Sequence, residues 1–342
     1  MPKAQNVMIK SRIVALRKFS SHLVANKAEV LAAIKSISSS AKALNQWFVW
    51  EEIELAFEGI SRWFTESALS ELQNAIEKLD QNQNKGKTLG VICAGNIPWV
   101  GLHDIFMAFA AGWKVNAKLS SQDRILMSWF LHYFHEVTGE KMGEIVERMK
   151  DVDAVIATGS GNTARYFESY FGKYPNIIRK NRTSVAVLNG QETKEDFLGL
   201  AEDIFRFYGL GCRNVNHLFL PVGSSLDHMF EAFFHKGPAL MAHNKYMNNY
   251  EYHRAVFLLE KIPFLENNFV IMRESDQLAS PVGVIHYSFY GNEEELKAKL
   301  AEAEGQIQCI VGADYLPFGQ AQKPGILDFA DGVNTLEFLL EV

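Results

Sequence analysis

A cysteine follows two closely spaced glycines in Phe207-Tyr208-Gly209-Leu210-Gly211-Cys212-Arg213-Asn214. The glycines give the backbone room to turn and let a ligand approach closely. Arg213 and neighbouring backbone N–H groups would favour the Cys212 thiolate. A thiolate is both a strong nucleophile and a good leaving group, which suits acyl transfer. The competing reading is a small buried apolar side chain, the commonest fate of a free cysteine. Cys93 and Cys309 lie inside apolar runs and read as core residues. With only three cysteines, far apart and without a Cys/His cluster, neither a disulfide framework nor a metal site is expected.

Two turns could complete such a site. Thr158-Gly159-Ser160-Gly161-Asn162-Thr163 ends a strand-like run and opens a helical one. Exposed N–H groups at such a junction suit a pyrophosphate, although the segment is neither GxGxxG nor a P-loop, and an ordinary turn fits as well. Asn96, ahead of Ile97-Pro98, could donate its amide to an oxyanion or be a turn former only. His217, five residues past Cys212, could be a base, but a histidine on a strand face is more often structural. His243 to Tyr250 is polar and aromatic enough to line an entrance, with a solvated helix end as the plainer account. Arg179-Lys180-Asn181-Arg182 could meet phosphates or simply face solvent.

The elements that must carry these residues alternate. Residues 1–85 read as helical, with apolar spacing in Ile9–Ile13–Leu16, Leu31–Ile34–Ile37 and Ile53–Leu55–Phe57–Ile60 and no proline between Pro2 and Pro98. Gln81 to Lys87 is a polar connector. Strands are expected at 88–94, 114–119, 154–160, 184–188, 215–221 and 282–287. Helical patterns stand between them, from Pro98 to Ala111, from Gln122 to Thr138 and up to Phe207. Alternation of this kind implies parallel sheets with helices on both faces and ligands at the carboxyl ends of strands. Asn96 and Gly159-Ser160 fall at such ends.

The 34 basic and 40 acidic side chains leave a net charge of -6, which argues against sequence-independent nucleic-acid binding. No stretch approaches 18 uninterrupted apolar residues, so no membrane span is expected. The start of the chain lacks the basic, apolar and cleavage regions of a signal peptide. The expectation is a cytoplasmic protein.

Read in order, these blocks resemble the aldehyde dehydrogenase superfamily and, within it, the LuxC-type acyl-CoA reductases. Gly90-Val91-Ile92-Cys93-Ala94-Gly95-Asn96-Ile97-Pro98 is similar to the strand and turn bearing that family's catalytic asparagine. The segment Ala111 to Ser120 is similar to "AAGN-x-V-x-x-K-P-S", whose lysine touches the adenosine ribose. Ala157-Thr158-Gly159-Ser160 resembles the "TGS" pyrophosphate turn. Gly209 to Cys212 takes the place of the nucleophile segment, and Leu316-Pro317-Phe318-Gly319-Gln320 resembles "PFGG". The likeness spans about 88 to 338, and Lys173 to Arg182 strengthens it toward a short LuxC-like group.

The resemblance implies an α/β, aldehyde-dehydrogenase-like fold: two α/β lobes, a Rossmann-like cofactor domain and a catalytic domain, with a helical N-terminal region. The expected boundaries are a helical region 1–85 packed on the cofactor domain, a dinucleotide-binding domain 86–183, and a catalytic domain 184–311. A C-terminal segment 312–342 would return to the cofactor domain. The implied catalytic residues are Cys212 and Asn96; the implied cofactor-binding residues are Lys118, Ser120, Gly159, Ser160 and Phe318.

Departures from the family pattern refine the expected chemistry. Hydrolytic members carry a base glutamate in "ELGG"; the corresponding Ile178-Arg179-Lys180-Asn181 has no carboxylate, which favours acyl-CoA reduction over oxidation to the acid. Ser121 stands where NAD-preferring members place a glutamate, so NADP (NADPH) is the expected cofactor, with a CoA thioester as substrate. Gln277 takes the place of the nicotinamide-ribose glutamate ahead of "FGPV". The chain has no counterpart of the oligomerisation hairpin before the asparagine block, so tetramer geometry is not implied. A homodimer, and an acyl-activating or acyl-transferring partner enzyme, are compatible with it. The alternatives are an aldehyde dehydrogenase or acyl-phosphate reductase of the same fold, and a non-catalytic nucleotide-binding protein.

Overall fold

The computed structural model describes residues 2–79, 86–159 and 161–342. Most of the expected connector at 81–87, and Ser160, lie outside the described residues. The chain separates into two compact units: residues 1–180 with 325–342, and residues 181–324. Residues 312–324, grouped from sequence with the C-terminal segment, cluster with the second unit.

The first unit opens with four helices, α1 (Pro2–Ala25), α2 (Lys27–Leu44), α3 (Trp50–Trp63) and α4 (Glu66–Lys78). Their apolar residues recur every three or four positions. Ile9, Ile13, Leu16 and Phe19 of α1 are therefore buried on one face, as are Ile53, Phe57 and Ile60 of α3. Then follow β1 (Thr88–Ile92), α5 (Leu102–Ala110), β2 (Lys114–Lys118), α6 (Arg124–Thr138), β3 (Glu144–Ile145), β4 (Ala154–Thr158), α7 (Gly161–Phe171) and β5 (Asn176–Arg179). The strands form a parallel sheet in the order β3-β2-β1-β4-β5. The order reverses between β1 and β4, where such sheets leave a crevice at the carboxyl edge.

The helical region packs on this sheet unit through α1 and α2 against α6. Phe19 meets Phe64, Phe130 and Phe134 at ring separations of 5.0, 5.8 and 5.0 Å. Arg12 of α1 donates to the carbonyls of Phe109 and Trp113, both at 2.7 Å, and so satisfies the C-terminal end of α5.

The second unit contains β6 (Thr183–Val187), α8 (Lys194–Phe205), β7 (Val215–Pro221), α9 (Asp227–Phe233), α10 (Gly237–Met241), α11 (Asn244–Leu259), β8 (Leu265–Glu266), β9 (Ile271–Glu274), β10 (Val284–Tyr290), α12 (Glu293–Ala303) and β11 (Ile307–Gly312). Its sheet runs β11-β6-β7-β10-β9-β8, parallel except for the short edge strand β8. β6 is buried along its whole length, as expected of a parallel strand covered on both faces. A capping box of Thr193 and Asp196 starts α8.

Helix α13 (Thr335–Glu341) belongs again to the first unit, where Trp113 Nε1 donates to Leu339 O at 2.8 Å. The pattern of strands and helices agrees with the sequence reading. The helix expected from Pro98 begins only at Leu102, because Trp99 has φ 59° and Gly101 φ 93°, which turn the chain before α5 can start.

Candidate active site

Cys212 is exposed, not a buried apolar residue. It sits on a loop between the end of α8 and β7, and that loop is built by buried polar side chains. Asn214 is fully buried. Its Oδ1 accepts from Gly211 N at 2.8 Å, while its Nδ2 donates to the carbonyls of Asp203, Ile204 and Arg206 at 3.1, 3.1 and 2.8 Å. One amide therefore ties the end of α8 to the residue preceding Cys212. From the other side, Ser184 Oγ donates to Cys212 O at 3.1 Å and lies 3.0 Å from Cys309 Sγ.

The turn into the loop is strained. Phe207 and Tyr208 have φ 50° and 55°, followed by Gly209 at 77°. Two bulky residues in the left-handed region cost energy that the surrounding packing must hold. Of the two glycines, only Gly209 takes a positive φ. Arg213 does not lie against the thiol as its sole task, since its Nε donates to Ala321 O.

That carbonyl belongs to the Phe318 loop. Asp203, buried on α8, accepts from Gly319 N at 2.6 Å and from Ala321 N at 2.9 Å. Burial pushes its carboxyl up to about 6 against the pull of those two N–H groups. Through Asp203, Asn214 and Arg213 the Phe318 and Cys212 loops form one hydrogen-bonded assembly in the second unit. Asp203, Asn214 and Ser184 were not singled out from sequence. A carboxylate beside Leu200, Ala201 and Ile204 on a buried helix face is the signal that would have found the first.

Asn96, Lys118, Ser120 and Gly159 lie together on the first unit. Ile92 is in register with Lys118 on one side and Ala157 on the other, so the three strands end level with one another. Lys118 is exposed at the end of β2. The Ser120 hydroxyl lies so close to Gly95 that a Cβ there would stand 2.5 Å from it, which places Ser120 beside the Asn96 turn. Asn96 is exposed. Gly159 directly follows β4, its N–H donating to Arg179 O at 3.4 Å.

Other candidates turn out to be structural. His217 is fully buried between Gln277 O, 3.0 Å from Nδ1, and Ser288 Oγ, 2.9 Å from Nε2. His286, its neighbour across β7 and β10, puts Nδ1 2.9 Å from the same Gln277 carbonyl. A carbonyl only accepts, so both Nδ1 atoms carry the proton. Burial lowers both imidazoles, His217 to about 4. Arg179 is a buried ion-pair residue, not a solvent-facing or phosphate-facing one. It donates to Asp104 Oδ1 at 2.6 Å, Thr335 Oγ1 at 2.9 Å and Ala330 O at 2.6 Å. His243 caps the start of α11 by accepting from Tyr246 N at 3.2 Å; with Tyr246 and Tyr250 it is buried, while Asn244, Lys245 and Asn248 are exposed, so this segment is a helix end with one buried and one solvated face. Cys93 is a core residue, its thiol pushed up by burial with Asp104 and Asp123 adding. Cys309 is half-buried. No helix among the described residues is long and apolar enough to cross a membrane.

No family model matches the chain, and no curated protein matches it in sequence. Solved structures do. The chain is similar to an aldehyde dehydrogenase of Mycobacterium tuberculosis complexed with NAD+, with 14% identity and a TM-score of 0.64 over 90% of this chain and 73% of that one. It is also similar to aldehyde dehydrogenase 21 of Physcomitrella patens in complex with succinate, with 12% identity and a TM-score of 0.62 over 97% and 81%. A third is aldehyde dehydrogenase C of Pseudomonas syringae, a mutant complexed with NAD+ and octanal, with 12% identity and a TM-score of 0.64 over 90% and 73%. The fold is therefore aldehyde-dehydrogenase-like.

Proposed function

We propose that this protein reduces an acyl-CoA, of fatty acyl type, to the aldehyde with NADPH, through an acyl thioester on Cys212. The observation that carries the reading is the Cys212 loop. An exposed thiol stands on backbone fixed by Asn214 and Ser184, in a fold shared with NAD+-complexed aldehyde dehydrogenases. Cys212 Sγ attacks the thioester carbonyl, the bond to the CoA sulfur breaks, and CoA leaves as its thiol after taking a proton. The Asn96 amide and the Cys212 N–H receive the developing oxyanion. NADPH, when bound, supplies the hydride that reduces the acyl-cysteine. The resulting thiohemiacetal then breaks its C–S bond, releasing aldehyde and restoring Cys212.

The residues at the carboxyl edge of the first sheet fit a dinucleotide. Lys118 offers an exposed ammonium, Ser120 a hydroxyl beside the Asn96 turn, and Gly159 the backbone directly after β4; Ser160 and Phe318 are assigned to the cofactor by the resemblance alone. Ser121, in the sequence position where NAD-preferring members carry a glutamate, would offer no carboxylate against a 2′-phosphate, which supports NADP. At the end of β5 the stretch 178–181 offers no carboxylate, and Arg179 is committed to Asp104. An acyl-cysteine without a water-activating base there is released by reduction.

The test is NADPH absorbance during incubation with acyl-CoAs of increasing chain length, wild type beside Cys212→Ala. NADPH consumption matched by aldehyde, absent in the variant, is the expected result. Consumption only with acyl phosphates, or none with any thioester, overturns it.

A further inference from the structure

The turn that carries Asn96 is held by two buried side chains that sequence did not single out. On its N-terminal side, Asn45 Nδ2 donates to Gly95 O at 2.8 Å. Asn45 is buried and stands at the end of α2. Its Oδ1 accepts from Trp47 N at 3.1 Å, so the amide is oriented by its own loop with the NH2 toward Gly95. On the C-terminal side, Asp123 Oδ2 accepts from Trp99 N at 2.6 Å. Trp99 holds φ 59°, an uncommon conformation for a bulky residue, and its indole donates to Leu126 O at 3.0 Å. Asp123 is buried, and its Oδ1 has no partner. Burial holds its carboxyl well above the usual range. Keeping a carboxyl here is costly unless the Trp99 bond has a use.

We propose that Asn45 and Asp123 are positioning residues for Asn96, clamping the backbone one residue before it and three residues after it so that its amide is preorganised. This rests on the reading of Asn96 as the oxyanion donor. It also gives the helical N-terminal region a part in the chemistry, because Asn45 is carried by the loop between α2 and α3. A donor aimed at developing charge works by being fixed before the reaction, so loosening its turn slows the acyl transfer without removing any group that touches substrate.

The experiment measures single-turnover CoA release from a fatty acyl-CoA in the absence of NADPH. Iodoacetamide alkylation of Cys212 serves as a control, because that displacement develops no oxyanion. Asn45→Ala and Asp123→Ala should slow acylation by roughly 10- to 100-fold, the scale of a misplaced catalytic group, with alkylation and NADPH affinity within about threefold of wild type. Asp123→Asn keeps an acceptor for Trp99 N and should restore acylation to near the wild-type rate. In an Asn96→Ala background, Asn45→Ala should have little further effect, since the group it positions is gone.

Where Asn45→Ala does not fold, Asn45→Ser replaces it, and where Asp123→Ala does not fold, Asp123→Val, which also removes the acceptor for Trp99 N, replaces it. Equal slowing by Asn45→Ala with and without Asn96 overturns the proposal, as does a wild-type acylation rate in both clamp variants. Normal acylation in Asn96→Ala itself, or none in the wild type, overturns the reading of the site and this inference with it. The first pattern leaves the acyl-CoA reading standing, so the two failures are distinguishable.

Discussion

Replacing Asn214 by alanine removes the amide that organises the Cys212 loop. The side chain, itself fully buried, accepts one hydrogen bond from Gly211 N and shares two protons among the carbonyls of Asp203, Ile204 and Arg206, the last of them partly buried. Counting three bonds at about 1 kcal/mol net each, and adding a similar amount for the buried Gly211 N–H left unpaired, gives a loss of roughly 4 kcal/mol. For a domain of this size that lowers the melting temperature by roughly 10 °C. Asn214→Asp tests the direction of the bonds. It keeps the acceptor for Gly211 but turns a second carboxylate oxygen toward three carbonyls, so it should be at least as destabilising at neutral pH and recover part of the loss when acid protonates it. Calorimetry of the three proteins across pH gives the result directly. An Asn214→Ala melting temperature within about 2 °C of wild type would refute the reasoning, because the loop would then be held by something other than this amide.

Other consequences follow from the same contacts. His217 is depressed by burial, so the unfolded chain binds its proton more tightly, and the stability that neutral His217 contributes is full above pH 6.5 and lost as pH falls toward 4. Asp203 is raised to about 6, so its contribution runs the other way, present below the ordinary carboxylate range and lost as pH rises through 6. The two nearly cancel in the wild type. Urea titrations should therefore show wild type losing about 3 kcal/mol relative to His217→Gln between pH 6.5 and 4, at 1.36 kcal/mol per unit. Asp104→Asn removes the 2.6 Å ion pair and leaves the buried Arg179 guanidinium with the more distant Asp331 carboxylate, 3.9 Å away, so it should cost up to about 3–5 kcal/mol, measured by denaturant midpoint. Asn96→Ala should slow acyl-CoA turnover by about 10²–10³, with NADPH binding retained in fluorescence titration.

What the residues disclosed and what they hid divide by range. The strands at 88–92 and 154–158 are short apolar runs, 114–118 alternates exposed lysines with buried Val115 and Ala117, and 215–221 is mostly apolar; local pattern suffices to find them. The candidate site's outline came from the order of its blocks, with Cys212 exposed on its loop and Lys118 level with the end of β1. Hidden were the groups that act across the chain. Asn45 meets Gly95 from 50 positions away, Arg179 meets Thr335 from 156, and Asp203 meets Gly319 from 116. No spacing rule encodes such pairs. Arg179, at the end of strand β5, read as part of a basic, solvent-facing run because the carboxylate it pairs with, Asp104, sits on helix α5, 75 positions earlier. His217 gave no sign that its two nitrogens were taken by Gln277 and Ser288, both supplied by later segments.

Mass spectrometry of the protein after mixing with a fatty acyl-CoA, with NADPH withheld, tests the central claim most directly. One added acyl group is expected on the peptide holding Cys212, removed by hydroxylamine, discharged as aldehyde when NADPH is supplied, and absent from Cys212→Ala. No adduct in the wild type, or an acyl group that persists in Cys212→Ala on Cys93 or Cys309, would contradict it.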